Sequence, residues 1–206
     1  MKKSKSETAK TRKRIVEVAA EAFRCNGIHG TKVSEIMARV GLTHGGFYRH
    51  FSSKEELVAE ACTASMNAIV DSAEAAIGGG NEAFLKHLEN FLSDEYHEEC
   101  PGGCPLVAIG SELARADMDT RRAVSQGFQD LIDVIATRIH PDGGGTARDN
   151  ATFTLSSMIG AVTMSRIIDE PGFSLQILDV AKKHLATLSS EVQAKLPKKN
   201  IEEMVE

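Results

Sequence analysis

The sequence predicts an all-α chain in two parts, an N-terminal three-helix unit of helix-turn-helix plan followed by a larger helical remainder. Apolar residues recur at three-and-four spacing in segment after segment, and clusters of glycine and proline divide those segments. No alternating, β-branched run bounded by turn signals occurs, so no sheet is expected. Charge marks the same division. Residues 1–54 hold 12 Lys+Arg against 4 Asp+Glu, which leaves 12 of the 24 basic and 25 of the 29 acidic residues for positions 55–206. A basic front has an electrostatic reason to sit on a polyanion, and the acidic rear should face away from one.

The first helix spans Thr8 to Cys25, with Ile15, Val18, Ala19, Ala22 and Phe23 on one face and Gly27 as its stop. Thr31 is placed to cap a short second helix carrying Val33, Ile36, Met37 and Val40, which Gly41 ends. Thr43 is placed to cap a third, Thr43 to Phe51. Ser52 or Ser53 then precedes a long fourth helix that stops at Gly78 to Gly80. Further helices are expected near 81–97, 105–115, 118–139, 147–169 and 174–190, divided by "CPGGCP", "HPDGGG" and "DEPGF". The last two carry extended apolar faces: Phe153, Met158, Ile159, Val162 and Ile167 on one, and Leu178, Ala181, Leu185 and Leu188 on the other. Two such helices can pair with their copies as a four-helix bundle in a homodimer, or they can close the chain's own core.

A chain of 206 residues is long enough for a sizeable core. No window approaches the roughly 18 apolar residues of a membrane span, and the lysine-rich start lacks the apolar segment of a secretion signal, so no membrane partner and a cytoplasmic location are expected. Four cysteines are too sparse for a disulfide framework.

The chemistry concentrates in "GLTHGGFYRHFSSKEEL", Gly41 to Leu57. Two short helices joined by a tight turn, the second starting at glycines, follow the helix-turn-helix plan. Glycine inside a helix costs about 1 kcal/mol relative to alanine, so Gly45 and Gly46 need a reason. Close approach of the helix N-terminus to phosphates and base edges supplies one. Tyr48, Arg49 and His50 follow with donors, Phe47 and Phe51 share a packing face, and Lys54 adds a phosphate partner.

Residues 10–57, with "IVEVAAEAFRCNGIHGTKVSEIMARVGLTHGGFYRHFSSKEEL", resemble the DNA-binding domain of the TetR family of one-component transcriptional regulators. Met37 stands where alanine is more usual, a conservative departure. The resemblance implies a helix-turn-helix domain, residues 1–54, and a helical effector-binding and dimerisation domain, residues 55–206. It implies a homodimeric repressor that reads a palindromic double-stranded DNA operator and is released by a small molecule. It places Lys32, Ser34, Thr43, His44, Gly45, Gly46, Tyr48, Arg49, His50 and Lys54 against DNA. His44 and Arg49 would carry sequence choice, and Tyr48, His50 and Lys54 positioning.

The stretch "GGCPLVAIGSELARADMDTRRAV" is similar to a branch of that family with repressors responsive to drugs and reactive electrophiles. Phe84, Phe91, Tyr96, Phe128, Met158 and Met164 are candidate effector-pocket residues, with plain core packing as the other reading. Cys100 and Cys104 flank "PGG" as a possible thiol sensor, although Glu98 and Glu99 disfavour a thiolate there. A metal site through His97 and the two cysteines lacks a fourth ligand, and nothing calls for a cofactor. The remaining rivals are an enzyme and a helical dimerisation protein that binds no DNA. His29, His44, His50, His87, His97, His140 and His184 are scattered without a fixed carboxylate or nucleophile, so no catalytic residue is assigned. A dimerisation protein leaves the basic front without a purpose.

Overall fold

The structure, a computed structural model, describes residues 5–93, 103–139 and 146–195, apart from the side chains of residues 81, 139 and 186–195. Among these residues every regular element is helical. Helix α1 (Lys5–Asn26) buries Ile15, Val16, Ala19, Ala20, Ala22 and Phe23, the face its periodicity predicts. Gly27 ends it with φ +76°, a left-handed turn that side chains rarely adopt. Helix α2 (Val33–Arg39) closes in a Schellman turn: the Gly41 amide donates to the Ala38 carbonyl at 3.0 Å and the Leu42 amide to the Met37 carbonyl at 2.9 Å, with Gly41 at φ +73°.

That turn leads into a 3₁₀ helix, His44–Arg49, where an α-helix over Thr43 to Phe51 was expected. Two adjacent glycines weaken the α conformation, and bonds three residues apart take over, from the Gly46 amide to Thr43 at 2.9 Å and from the His50 amide to Phe47 at 2.8 Å. Two caps also differ. Thr43 makes no side-chain cap, and Thr31 turns backward, its hydroxyl donating to the carbonyls of Gly27 at 2.7 Å and Ala22 at 3.2 Å. Buried Thr31 thus seals the end of α1 instead of starting α2. Ser53 caps as expected, its Oγ accepting the Glu56 amide at 3.2 Å at the head of α3 (Lys54–Gly78).

Helix α4 (Gly80–Phe91) follows at once. The helix expected near 105–115 is two short pieces, α5 (Pro105–Ala108) and α6 (Gly110–Leu113), broken at Ile109. The break redirects the chain, because Val107 lies in one core and Ile109 in the other. Asp117 starts α7 (Met118–Ile139) by accepting the Asp119 and Thr120 amides, each at 2.9 Å. Helix α8 (Ala147–Ile167) comes next. "DEPGF" is a helix start as well as a divider: Glu170 accepts the Gly172 and Phe173 amides, and Pro171 occupies the first position of α9 (Pro171–Lys195).

Two apolar cores result. The front core gathers Phe23, Ile36, Met37, Phe47, Phe51, Leu57, Val58 and Ala61, and takes in Ile109, Leu113 and Val124 from the rear of the chain. The rear core gathers Phe84, Leu88, Leu92, Val107, Leu131, Ile135, Leu155, Met158, Val162, Leu178 and Leu185. Helix α3 serves both, with Leu57 to Cys62 in the front and Ala73 in the rear. Between them it crosses α7 at close range, since a Cβ on Gly127 would stand 2.4 Å from Cβ of Met66. Only glycine permits that approach.

The apolar faces expected to pair two chains divide between inside and outside. Met158, Val162, Leu178 and Leu185 are buried in the rear core, with Ile159 and Ala181 packed against it. Phe153, Met164 and Ile167 on α8 are exposed, as are Phe173, Leu175 and Val180 on α9. The Leu188 side chain lies outside the described part of the structure.

Candidate nucleic-acid interface

The 3₁₀ helix is anchored from below and open above. Phe47 and Phe51 are buried and stack at 5.4 Å between ring centroids. The Arg12 guanidinium lies 4.1 Å over the Phe51 ring and bonds Glu56 at 2.8 Å and also Glu60, which ties α1 to the first turns of α3. Glu56 further accepts the Ser52 amide at 2.6 Å and hydroxyl at 2.7 Å. Those two bonds, with Arg12 behind them, push its carboxyl down to about 2.

On the open side Thr43, His44, Gly45, Tyr48 and Arg49 are exposed, and Gly46 and His50 are half-buried. Tyr48 is 65% exposed and meets His44 edge to face at 5.9 Å. Lys32 and Ser34, at the head of α2, are exposed too. Gly45 has nothing within 4 Å of the place a Cβ would take, and at Gly46 a Cβ would make only ordinary contacts, 3.7 Å to Met37 and 3.8 Å to Thr43. Neither has a positive φ. Among the described residues no packing or backbone demand explains this pair of glycines.

Lys54 sits differently from a free phosphate contact. Its ammonium donates to the carbonyls of Ile28 at 2.5 Å and Thr31 at 2.6 Å and lies 6.0 Å from the Phe23 ring centre, which leaves one of its three donors for anything outside. Glu112, from α6, holds the same loop, accepting the Ile28 amide at 3.2 Å, the His29 amide at 2.9 Å and the His29 ring at 2.7 Å. Burial works against its charge, yet these bonds keep its carboxyl below the ordinary range. Sequence reasoning missed Glu112. Its partners lie more than eighty positions away, and no local pattern announces them.

Comparison with known proteins matches residues 15–61 to "Bacterial regulatory proteins, tetR family" and residues 81–196 to "Transcriptional regulator LmrA/YxaF-like, C-terminal domain". The chain belongs to the TetR family. An uncharacterized HTH-type transcriptional regulator of Mycobacterium tuberculosis is 26% identical over 196 residues, covering 92% of this chain and 97% of that one. The regulator YdgC of Bacillus subtilis is 44% identical over 59 residues, 29% of this chain and 30% of its own length. Among solved structures, a TetR regulator from Chloroflexus aurantiacus is 28% identical, covers 90% of this chain and 97% of its own, and superposes with a TM-score of 0.72. Reduced NemR of E. coli, 19% identical over 86% of this chain and 96% of its own, shares the fold at a TM-score of 0.74. TetR-family regulators are DNA-binding proteins, not enzymes, that typically act as dimers with small-molecule effectors. Among the described residues no helix is long and apolar enough to cross a membrane.

In this TetR-family chain the expected effector residues separate. Phe84 and Met158 are buried in the rear core, Phe91 and Phe128 are packed against it, and the Arg138 guanidinium lies 5.8 Å from the Phe84 ring centre. Met164 does not join them: 47% exposed, it faces outward on α8 with Ile167. Tyr96 and Cys100 lie outside the described residues, as does His97. Cys104 is 3% exposed, and burial pushes its thiol up, an environment that disfavours the thiolate a sensor would need. A cleft of about 460 Å³ opens between α4 and α9, lined by Leu85, Leu88, Leu92 and Leu185 together with Glu89 and Lys182. That volume is in the range of small-molecule sites.

Proposed function

We propose that the chain is a homodimeric repressor acting in the cytoplasm, that it holds a palindromic operator through two copies of residues 1–54, and that a small, largely apolar effector bound within residues 55–206 releases it. The observation that carries the reading is the pair Gly45 and Gly46, which no internal packing or backbone strain requires, under a surface of exposed Thr43, His44, Tyr48 and Arg49. A surface kept low without an internal cause fits a recognition element built for close approach to a duplex. Lys32, Ser34, Tyr48, His50 and the remaining donor of Lys54 serve backbone phosphates, while His44 and Arg49 reach base edges.

Pairing runs through the outward stripe of α8 and α9. Phe153, Gly160, Met164 and Ile167 follow one another at helical spacing, and all four are exposed. Among the described residues nothing lies within 4 Å of the place a Cβ on Gly160 would take, so its glycine suits a partner helix lying close. Twofold pairing sets two recognition helices about 34–36 Å apart, one turn of duplex. An effector preferring a different tilt of α3 changes that separation, and its differential affinity for the two states drives release. Phe84 and Met158 lie in the rear core and Phe91 and Phe128 pack against it, where such a molecule would insert or press.

Arg49→Ala tests the interface. It should weaken binding to a duplex selected by the wild-type chain far more than binding to random duplex; equal losses on both would make Arg49 a phosphate contact and remove the base-reading assignment. Mass spectrometry of small molecules that co-purify with the chain addresses the effector.

A further inference from the structure

The loop Gly27–Thr31 joins α1 to α2, and three separate elements grip it. Thr31 ties it back to α1 through the carbonyls of Ala22 and Gly27. Lys54, the first residue of α3, takes the carbonyls of Ile28 and Thr31. Glu112 takes the amides of Ile28 and His29 from the opposite polarity, and it comes from α6 in the rear part of the chain. A cation thus holds the loop's acceptors and an anion its donors.

The loop is shaped for that anion. Gly27 adopts φ +76°, and a Cβ there would stand 2.5 Å from Oε1 of Glu112. The backbone favours glycine there, and a Cβ would displace the carboxylate from the place where it meets the two amides. The segment that carries Glu112 belongs to both cores: Cys104 and Val107 lie in the rear core, Ile109 and Leu113 in the front, and Leu106 packs against both. A displacement of the rear core therefore has a short mechanical route to the loop, separate from the tilt of α3.

We propose that Glu112 is a positioning residue for DNA binding, a carboxylate latch through which the effector part of the chain fixes the loop Gly27–Thr31 and with it the pose of α2 and the 3₁₀ helix. The inference rests on the DNA-binding reading above and adds to it the residue that transmits the signal. Charge-assisted bonds to two backbone amides fix direction as well as position, which a hydrophobic contact between the cores would not do. Loss of the latch leaves the front core intact but lets its orientation spread, so fewer molecules present both recognition helices at the duplex spacing.

The test uses the full chain and a duplex that the wild-type protein selects from a random library. Glu112→Ala and the gentler Glu112→Gln are compared with His29→Ala, which removes only the ring contact. Hydrogen exchange at the Ile28 and His29 amides and duplex affinity are both read well below each variant's unfolding midpoint, so that lost stability cannot masquerade as lost affinity. Glu112→Ala should deprotect the two amides and weaken the duplex complex by about tenfold, within the range of coupling between sites. Glu112→Gln should fall between, since one carboxamide oxygen can still accept an amide, and His29→Ala should change affinity little. Gly27→Ala, with Glu112 untouched, should weaken the complex as Glu112→Ala does if it folds. Deprotected amides with unchanged affinity would overturn the proposal by making Glu112 merely structural, as would protected amides in Glu112→Ala. Failure of the wild-type chain to select any duplex would instead strike the DNA-binding reading itself.

Discussion

The front and rear of this chain are held together in different ways. In the front, two short elements, α2 and the 3₁₀ helix, are set between α1 and the start of α3, and polar ties hold them at fixed points: Arg12 with Glu56 and Glu60, Lys54 and Glu112 on one loop, Thr31 on the end of α1. The rear relies on long helices that bury aliphatic faces, with glycine needed for close packing at Gly127. A part that must present an exact surface to another molecule is tied at many points. A part that must yield to a ligand is packed by contacts that have no direction.

The largest effect should follow removal of an anchor beneath the 3₁₀ helix. Phe51→Ala deletes a buried ring with its stacking partner Phe47 and the Arg12 contact, and should cost about 3–5 kcal/mol in a denaturant titration. Helical signal from α7 to α9 surviving at concentrations that melt the front would sharpen the contrast; a single transition would show the two cores to be one cooperative unit. Next comes pairing. Met164→Glu with Ile167→Glu puts charge on the exposed stripe without touching the buried face of α8, so sedimentation should report monomers. Duplex affinity should then fall by roughly 100-fold through lost avidity.

Gly45→Ala separates surface from fold. It should leave the unfolding midpoint unchanged or slightly raised and weaken duplex binding roughly tenfold, or about 1.4 kcal/mol. Gly41→Ala should do the reverse, destabilising by about 1 kcal/mol through its left-handed backbone, since open space surrounds the position. The smallest effect concerns acid. Glu56 has its carboxyl lowered from 4.5 to about 2, so the stability it contributes is whole above pH 4.5 and drains away as pH falls toward 2. With the Glu56 side chain 36% exposed, solvent screens much of this, and Glu56→Gln should only flatten that part of the pH–stability curve slightly.

Much of the front was legible because its signals are local. Apolar spacing marked α1 and α2, Gly27 and Gly41 marked their ends, and Ser53 marked the start of α3. Thr31 misled because a threonine before a helix can bond either way along the chain, and Thr43, though placed as a cap, makes no side-chain cap bond. The 3₁₀ form of the recognition segment follows from its glycines, yet the same glycines suit an α-helix start. In the rear, periodicity located the helices but could not apportion their faces, so Met158 and Val162 read the same as Ile167 although the first two are buried and the last is exposed. Lys54 and Glu112 were illegible in their present roles, because each meets backbone groups distant in sequence.

The mechanism requires two copies of the basic front to act together on one duplex. Titrating a duplex selected by the wild-type chain, at several salt concentrations and with mass measured in solution, tests it most directly. Two protomers, or a multiple of two, should occupy each duplex, with an affinity that drops steeply as salt rises. One protomer per duplex, or no binding even at low salt, would contradict it.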